Sequence, residues 1–181
     1  VNSAGSTSPR GARTAAALLV IALALGGCAL LAPPKATAPS AAEQRTALVE
    51  GLAIESQWLQ SWFKGTPVLI AQRSDGTVTV DVPREFCFDR GRSAVKPALA
   101  AVLDKVAESL KRRPQTQLIG LAAPDDRGDS TPLALQRAAQ VHRHLRDRGI
   151  AAARLGEAST TGAAAVQLRI GPDPPSSSIA R

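Results

Sequence analysis

Apolar positions recur with two periods along this chain, and the switches between them predict its elements. From residue 43 to 63, Leu48, Leu52, Leu59 and Trp62 fall at helical spacing, with Ile54, Trp58 and Phe63 widening the stripe. Gly65 and Pro67 end that helix. Two strands are predicted next, at 68–72 and 77–82, where Val78, Val80 and Val82 alternate with Thr79 and Asp81. Ser74-Asp75-Gly76 between them is a turn signal, since glycine accepts positive φ. Phe86 and Phe88 flank Cys87 at strand period. A helix then starts at Pro97, whose missing N–H costs nothing at a first helical position. It carries Leu99, Val102, Leu103, Val106 and Leu110 on one face and closes at Arg112-Arg113-Pro114. A strand at 117–121, a helix at 133–148 and a last strand through Val166, Leu168 and Ile170 complete the pattern. The second of these helices turns Ala134, Ala138, Val141 and Leu145 inward, and Gly149 caps it. Residues 154–160 read as a short strand, and 171–181 as a polar, disordered tail. Strands and helices alternate, so the helices cross between strands.

The amino-terminal stretch obeys a different pattern. Arg10 and Arg13 precede an apolar run, Ala15 to Leu25, that is too short for a comfortable membrane span. It ends in Leu25-Gly26-Gly27-Cys28, which resembles a bacterial lipobox. Residues 1–27 are then expected to be a lipoprotein signal peptide and Cys28 a lipidation site. An ordinary signal peptide, or an uncleaved anchor with Cys28 as a small apolar residue, is the competing reading. Lipidation implies a membrane partner, because several acyl chains make release negligible where one gives only marginal binding. Ala29 after the cysteine implies, by resemblance to enterobacterial lipoproteins, the outer membrane with the protein facing the periplasm. Residues 28–42 are rich in Ala and Pro and read as a tether, with a reach of roughly 40 Å at about 3.1 Å per residue.

Composition narrows the chemistry. Aromatic residues make up 3% of the chain, so the core rests on Leu, Val, Ile and Ala. The formal charge is +7, which favours anionic partners. The basic residues are scattered and lack interleaved aromatics, so nucleic acid is not expected. No metal-ligand spacing, cofactor motif or nucleophile–base set is present, and neither a metal, a cofactor nor an enzyme is expected. His142 and His144 are two apart on a helix and so do not share a face. Cys87 reads as a buried free thiol; reactivity would need a cationic neighbour such as Arg90 or Arg92. Trp58 and Trp62 either pack onto the domain or meet a partner or membrane surface.

The stretch from Leu118 to Val141 holds the candidate binding chemistry. It runs from a strand into an acidic loop at Asp125–Asp129 and restarts as a helix bearing Arg137. A carboxylate at a strand end and a guanidinium in the following helix suit a zwitterion, one group for its ammonium and one for its carboxylate. Taken locally, Asp125 and Asp126 equally suit a solvated turn, and Arg137 a solvated helix face.

In order along the chain, the pieces resemble the OmpA-like C-terminal domain, the peptidoglycan-binding module of outer-membrane proteins and lipoproteins. Phe86-Cys87-Phe88 stands where the family has F-x-F, and Val95-Lys96-Pro97 where it has L-x-P. Ala122 to Gly128 takes the place of G-H-T-D-x-x-G. Leu133 to Val141 keeps the Leu, Arg-Ala and Val of the next motif, and Leu145 to Ile150 follows L-x-x-x-G-I. The resemblance covers 77–170 and leaves 43–76 as a preceding helix and first hairpin strand. It implies an α+β fold, a two-layer sandwich with two helices on one sheet, and a site of Asp125, Arg127, Gly128 and Arg137 for the diaminopimelate of the peptide stem. Asp125 would hold the ammonium and Arg137 the carboxylate. The chain departs from the family at Pro124, where Thr is usual, in a shorter loop after Gly128, and at Ala163-Ala164-Ala165, where Asn-Arg-Arg is usual. The alternative function is therefore a protein-interaction module of the envelope, using Trp58, Trp62 and the 43–63 helix toward a protein partner.

Overall fold

In a computed structural model of the chain, residues 39–127 and 131–172 are described. The expected signal peptide, Cys28, the tether up to residue 38, Gly128, and the tail beyond residue 172 lie outside them. The elements are α1 (Ala41–Trp62), β1 (Leu69–Gln72), β2 (Val78–Pro83), α2 (Arg84–Cys87), α3 (Pro97–Arg112), β3 (Thr116–Ala123), α4 (Pro132–Asp147), β4 (Ala158–Thr160) and β5 (Ala165–Pro172). A single 3₁₀ turn, Ala152–Arg154, leads into β4.

Five strands form one sheet in the order β1-β2-β5-β3-β4. β5 is antiparallel to both β2 and β3, while β3 and β4 are parallel. The last strand thus inserts between the first and second strands of the crossover units. Val78, Val80 and Val82 face Ile170, Leu168 and Val166 in register, and all six are buried. Their alternates, Thr79, Asp81, Gln167 and Arg169, lie on the opposite face, half-buried or exposed. The result is the expected α+β two-layer arrangement.

α3 and α4 bury the residues their periodicity named: Leu99, Val102, Leu103, Val106 and Leu110 on one, Ala134, Ala138, Val141 and Leu145 on the other. Because β2, β3 and β4 run the same way, both helices run back against them. Their N-termini gather with the C-terminal ends of β2 and β3 at one end of the molecule. Gly149 closes α4 at φ +83°, as its position predicts.

α1 packs antiparallel to α3. Gly51 lies against Arg113, Glu55 pairs with Arg112 and Arg113, and Lys105 stands over Trp62. Its opening turn is fixed by a capping box: the Ser40 Oγ accepts from the Glu43 N–H, and the Ser40 N–H donates to the Glu43 carboxylate. The helix therefore begins two residues before the start its apolar stripe predicts, and residues 41–47 project exposed beyond the β1–β2 turn, where Val49 meets Gly76.

Three expectations are corrected. The Phe86-Cys87-Phe88 segment is not a strand: residues 84–87 form one helical turn, which leaves Phe86 exposed while Cys87 and Phe88 are buried. Period-two spacing over three residues does not separate a strand from a turn of helix. The buried face of α1 is also rotated from the apolar stripe. Leu52, Glu55, Ser56 and Leu59 are inside, whereas Ile54 is 59% and Trp62 55% exposed. β5, finally, includes Gly171 and Pro172, which the sequence assigns to the tail.

Candidate functional site

Arg137 is the largest fully buried side chain of the described residues. Helical spacing puts it on the inward face of α4, three residues after Ala134 and one before Ala138. A guanidinium there must have its donors met, because an uncompensated buried charge is very costly. Its Nε donates to the Arg92 carbonyl at 3.0 Å, Nη1 to the Pro124 carbonyl at 2.9 Å, and Nη2 to the Asp89 carbonyl at 3.1 Å. Nη2 also donates to Asp126 Oδ1 at 2.6 Å, an ion pair. The guanidinium carbon lies 4.9 Å from the centroid of the Phe88 ring, giving a cation–π contact. One side chain thus ties the loop after α2 to the loop after β3.

Asp126 completes the latch. Its Oδ2 accepts from the Gly91 N–H at 2.6 Å. The hydrogen bond from Arg137 holds its carboxyl below the usual carboxylate range, against the opposing effect of burial. Arg84 works from the other side, its Nη1 donating to the Asp125 and Asp126 carbonyls at 3.0 and 2.7 Å. Asp125 is 4% exposed, and its Oδ1 accepts from the Arg127 N–H at 2.6 Å, so it sets the turn from which Arg127 emerges.

Over this latch opens a cleft of about 550 Å³, lined by Arg84, Glu85, Phe88, Asp89, Arg90, Lys96, Asp126 and Arg127. Of the residues expected from the sequence, Arg127 stands on its wall, Asp125 and Arg137 are buried and do not line it, and Gly128 lies outside the described residues. The carboxylate paired with Arg137 is Asp126 rather than Asp125. Sequence reasoning missed Arg84, Asp89 and Lys96, and saw Arg90 and Arg92 only as neighbours of Cys87. The density of charge in Asp89-Arg90-Gly91-Arg92 was the available signal, but nothing local shows that this loop folds over residues 124–127.

Lys96 Nζ donates to the Glu85 carbonyl at 2.8 Å and lies 3.7 Å from Asp89. The two longest crossover helices aim their N-termini at this end, each with proline in its first turn and neither with a side-chain cap or a first-turn acid. Their positive dipole ends point there. Cys87 takes no part. Burial pushes its thiol up to about 12, and it donates to the Val82 and Pro83 carbonyls, both at 3.3 Å. Among the described residues no group of His, Cys, Asp and Glu is placed to hold a metal, and no helix is long and apolar enough to cross a membrane.

No protein-family model and no curated protein sequence matches this chain. Solved structures do. A putative MotB-like protein from Desulfovibrio vulgaris is similar over 72% of this chain and 97% of its own, at 17% identity and a TM-score of 0.59. The periplasmic domain of MotB is similar over 61% of this chain and 71% of its own, at 17% identity and a TM-score of 0.50. The fold of the described residues is thus that of the MotB-like domains.

Proposed function

We propose that this chain is a lipid-anchored envelope protein whose folded part binds peptidoglycan without a covalent bond, through the diaminopimelate of the peptide stem. It acts as a tether between the outer membrane, through Cys28, and the wall, and it carries out no catalysis. The observation that carries this reading is the cleft built on the Arg137 latch, at the end of the sheet where the acidic loop follows β3 in an OmpA-like fold. The resemblance assigns the contact to Asp125, Arg127, Gly128 and Arg137. Because four hydrogen bonds already engage Arg137, its part is to hold the two loops that make the cleft. Asp125 fixes the turn that presents Arg127. Weak individual contacts suffice, since tethering raises the effective concentration at the wall.

Co-sedimentation of the full chain, in detergent, with purified peptidoglycan tests this. The chain is expected in the pellet, and Asp125→Asn, close in shape to the parent, is expected to reduce its share. A chain that stays in the supernatant would refute wall binding. The second reading, an envelope protein-interaction module, draws on the exposed Trp62 and Ile54 of α1. It would gain if wall binding were absent and Trp62→Ala abolished association with an envelope protein.

A further inference from the structure

We infer that the cleft selects stem peptides by their free carboxylate, which meets Arg127 and Arg90 rather than Arg137, so that amidated stems are rejected. The inference deepens the wall-binding reading and rests on it. The cleft wall carries four cations, Arg84, Arg90, Lys96 and Arg127, and three carboxylates, Glu85, Asp89 and Asp126. Asp126 is already neutralised by Arg137 and has its second oxygen on the Gly91 N–H. Arg84 is partly engaged by two carbonyls, and Lys96 by one carbonyl and by the Asp89 carboxylate at 3.7 Å. Arg90 and Arg127 are both exposed, and among the described residues no hydrogen bond or ion pair holds either guanidinium.

The backbone adds to the same sign. The N-termini of α3 and α4 face this end, and among the described residues neither has a side-chain cap or a first-turn acid. A planar guanidinium matches a carboxylate through paired N–H donors, and an amide in its place presents its own N–H groups and no charge. Glu85 remains on the same wall for the ammonium of the same residue, while Asp89 lies 3.7 Å from Lys96. Arg137, in contrast, has its donors turned onto protein oxygens and is 0% exposed.

The experiment compares sedimentation of the full chain with two peptidoglycans, one with free diaminopimelate carboxylates and one with those carboxylates amidated. The parent is expected to bind the amidated wall about tenfold or more weakly, the loss of one charge-assisted contact. Arg127→Ala and Arg90→Ala should lose a similar factor on the free-carboxylate wall and almost none on the amidated one, with unchanged far-UV circular dichroism. Equal binding of the parent to both walls would overturn the inference while leaving wall binding intact. So would variants that bind the free-carboxylate wall as the parent does. Absence of binding to either wall would overturn both.

Discussion

At the scale of single residues, buried polar groups divide this protein into parts that hold and parts that are free to act. Arg137 holds. Replacing it with Leu strands three carbonyls and the Asp126 carboxylate, so urea denaturation is expected to show a loss of about 3 kcal/mol or more. Gly76 holds in another sense. It sits at φ +80°, and a Cβ there would come within 2.6 Å of Val49 Cγ2, so Gly76→Ala should destabilise by more than about 1 kcal/mol in the same assay. Cys87 is inert. In a Cys28→Ser chain its thiol should fail to react with a disulfide reagent at pH 8 until denaturant is added, because burial keeps it protonated. That Arg137 mattered was legible from its place after the acidic loop. That it is wholly buried was not, because its carbonyl partners at Asp89 and Arg92 lie far away in sequence and carry no side-chain signature.

At the scale of elements, periodicity located α3, α4, β2 and β5 because each has one face on the core and one in water. It failed where that condition failed. α1 covers the margin of the domain and contributes a carboxylate to its own buried face. The Glu55 side chain is 6% exposed, held by Arg112 Nη2 at 2.6 Å and Arg113 Nε at 3.4 Å. The aromatic pair beside it is clamped by cations: the Arg112 guanidinium lies 3.7 Å from the Trp58 ring centroid and Lys105 Nζ 3.9 Å from that of Trp62. A hydrophobic stripe cannot reveal a helix docked through charge and cation–π contact. Burial opposes ionised Glu55, but hydrogen bonds from Arg112, Ser109 and Arg113 outweigh it and leave its pKa below 4.5. Its stabilisation is therefore complete above about pH 4.5 and lost as the pH falls through the lower folded value. Glu55→Gln is expected to cost about 1–3 kcal/mol at pH 7 and to flatten the decline of stability in acid, as followed by urea midpoints at successive pH values. The Ser40-to-Glu43 capping box, by comparison, was there to be read and marks the start of α1 two residues early.

At the scale of the whole molecule, alternation of strand and helix implied helices crossing between strands, and the family resemblance implied the two-layer class, but the pattern did not give the strand order. Insertion of β5 between β2 and β3 depends on pairings that span most of the domain and leave no local trace. The same topology sends both crossover helices' positive ends to the cleft and the emerging end of α1 away from it. Binding to the wall should accordingly weaken with salt, and sedimentation across a range of ionic strength would detect this. The antiparallel seating of α1 along α3 has a mechanical side. A pull applied at residue 39 against a ligand held in the cleft runs lengthwise through the domain. Such a load drags α1 along α3 rather than lifting it off. The Glu55 ion pairs and the two clamped tryptophans must then give way together, in shear, instead of one after another as in a zipper. In a chain tethered as proposed, α1 would be a strain relief, the part of the domain through which tension enters before it reaches the sheet.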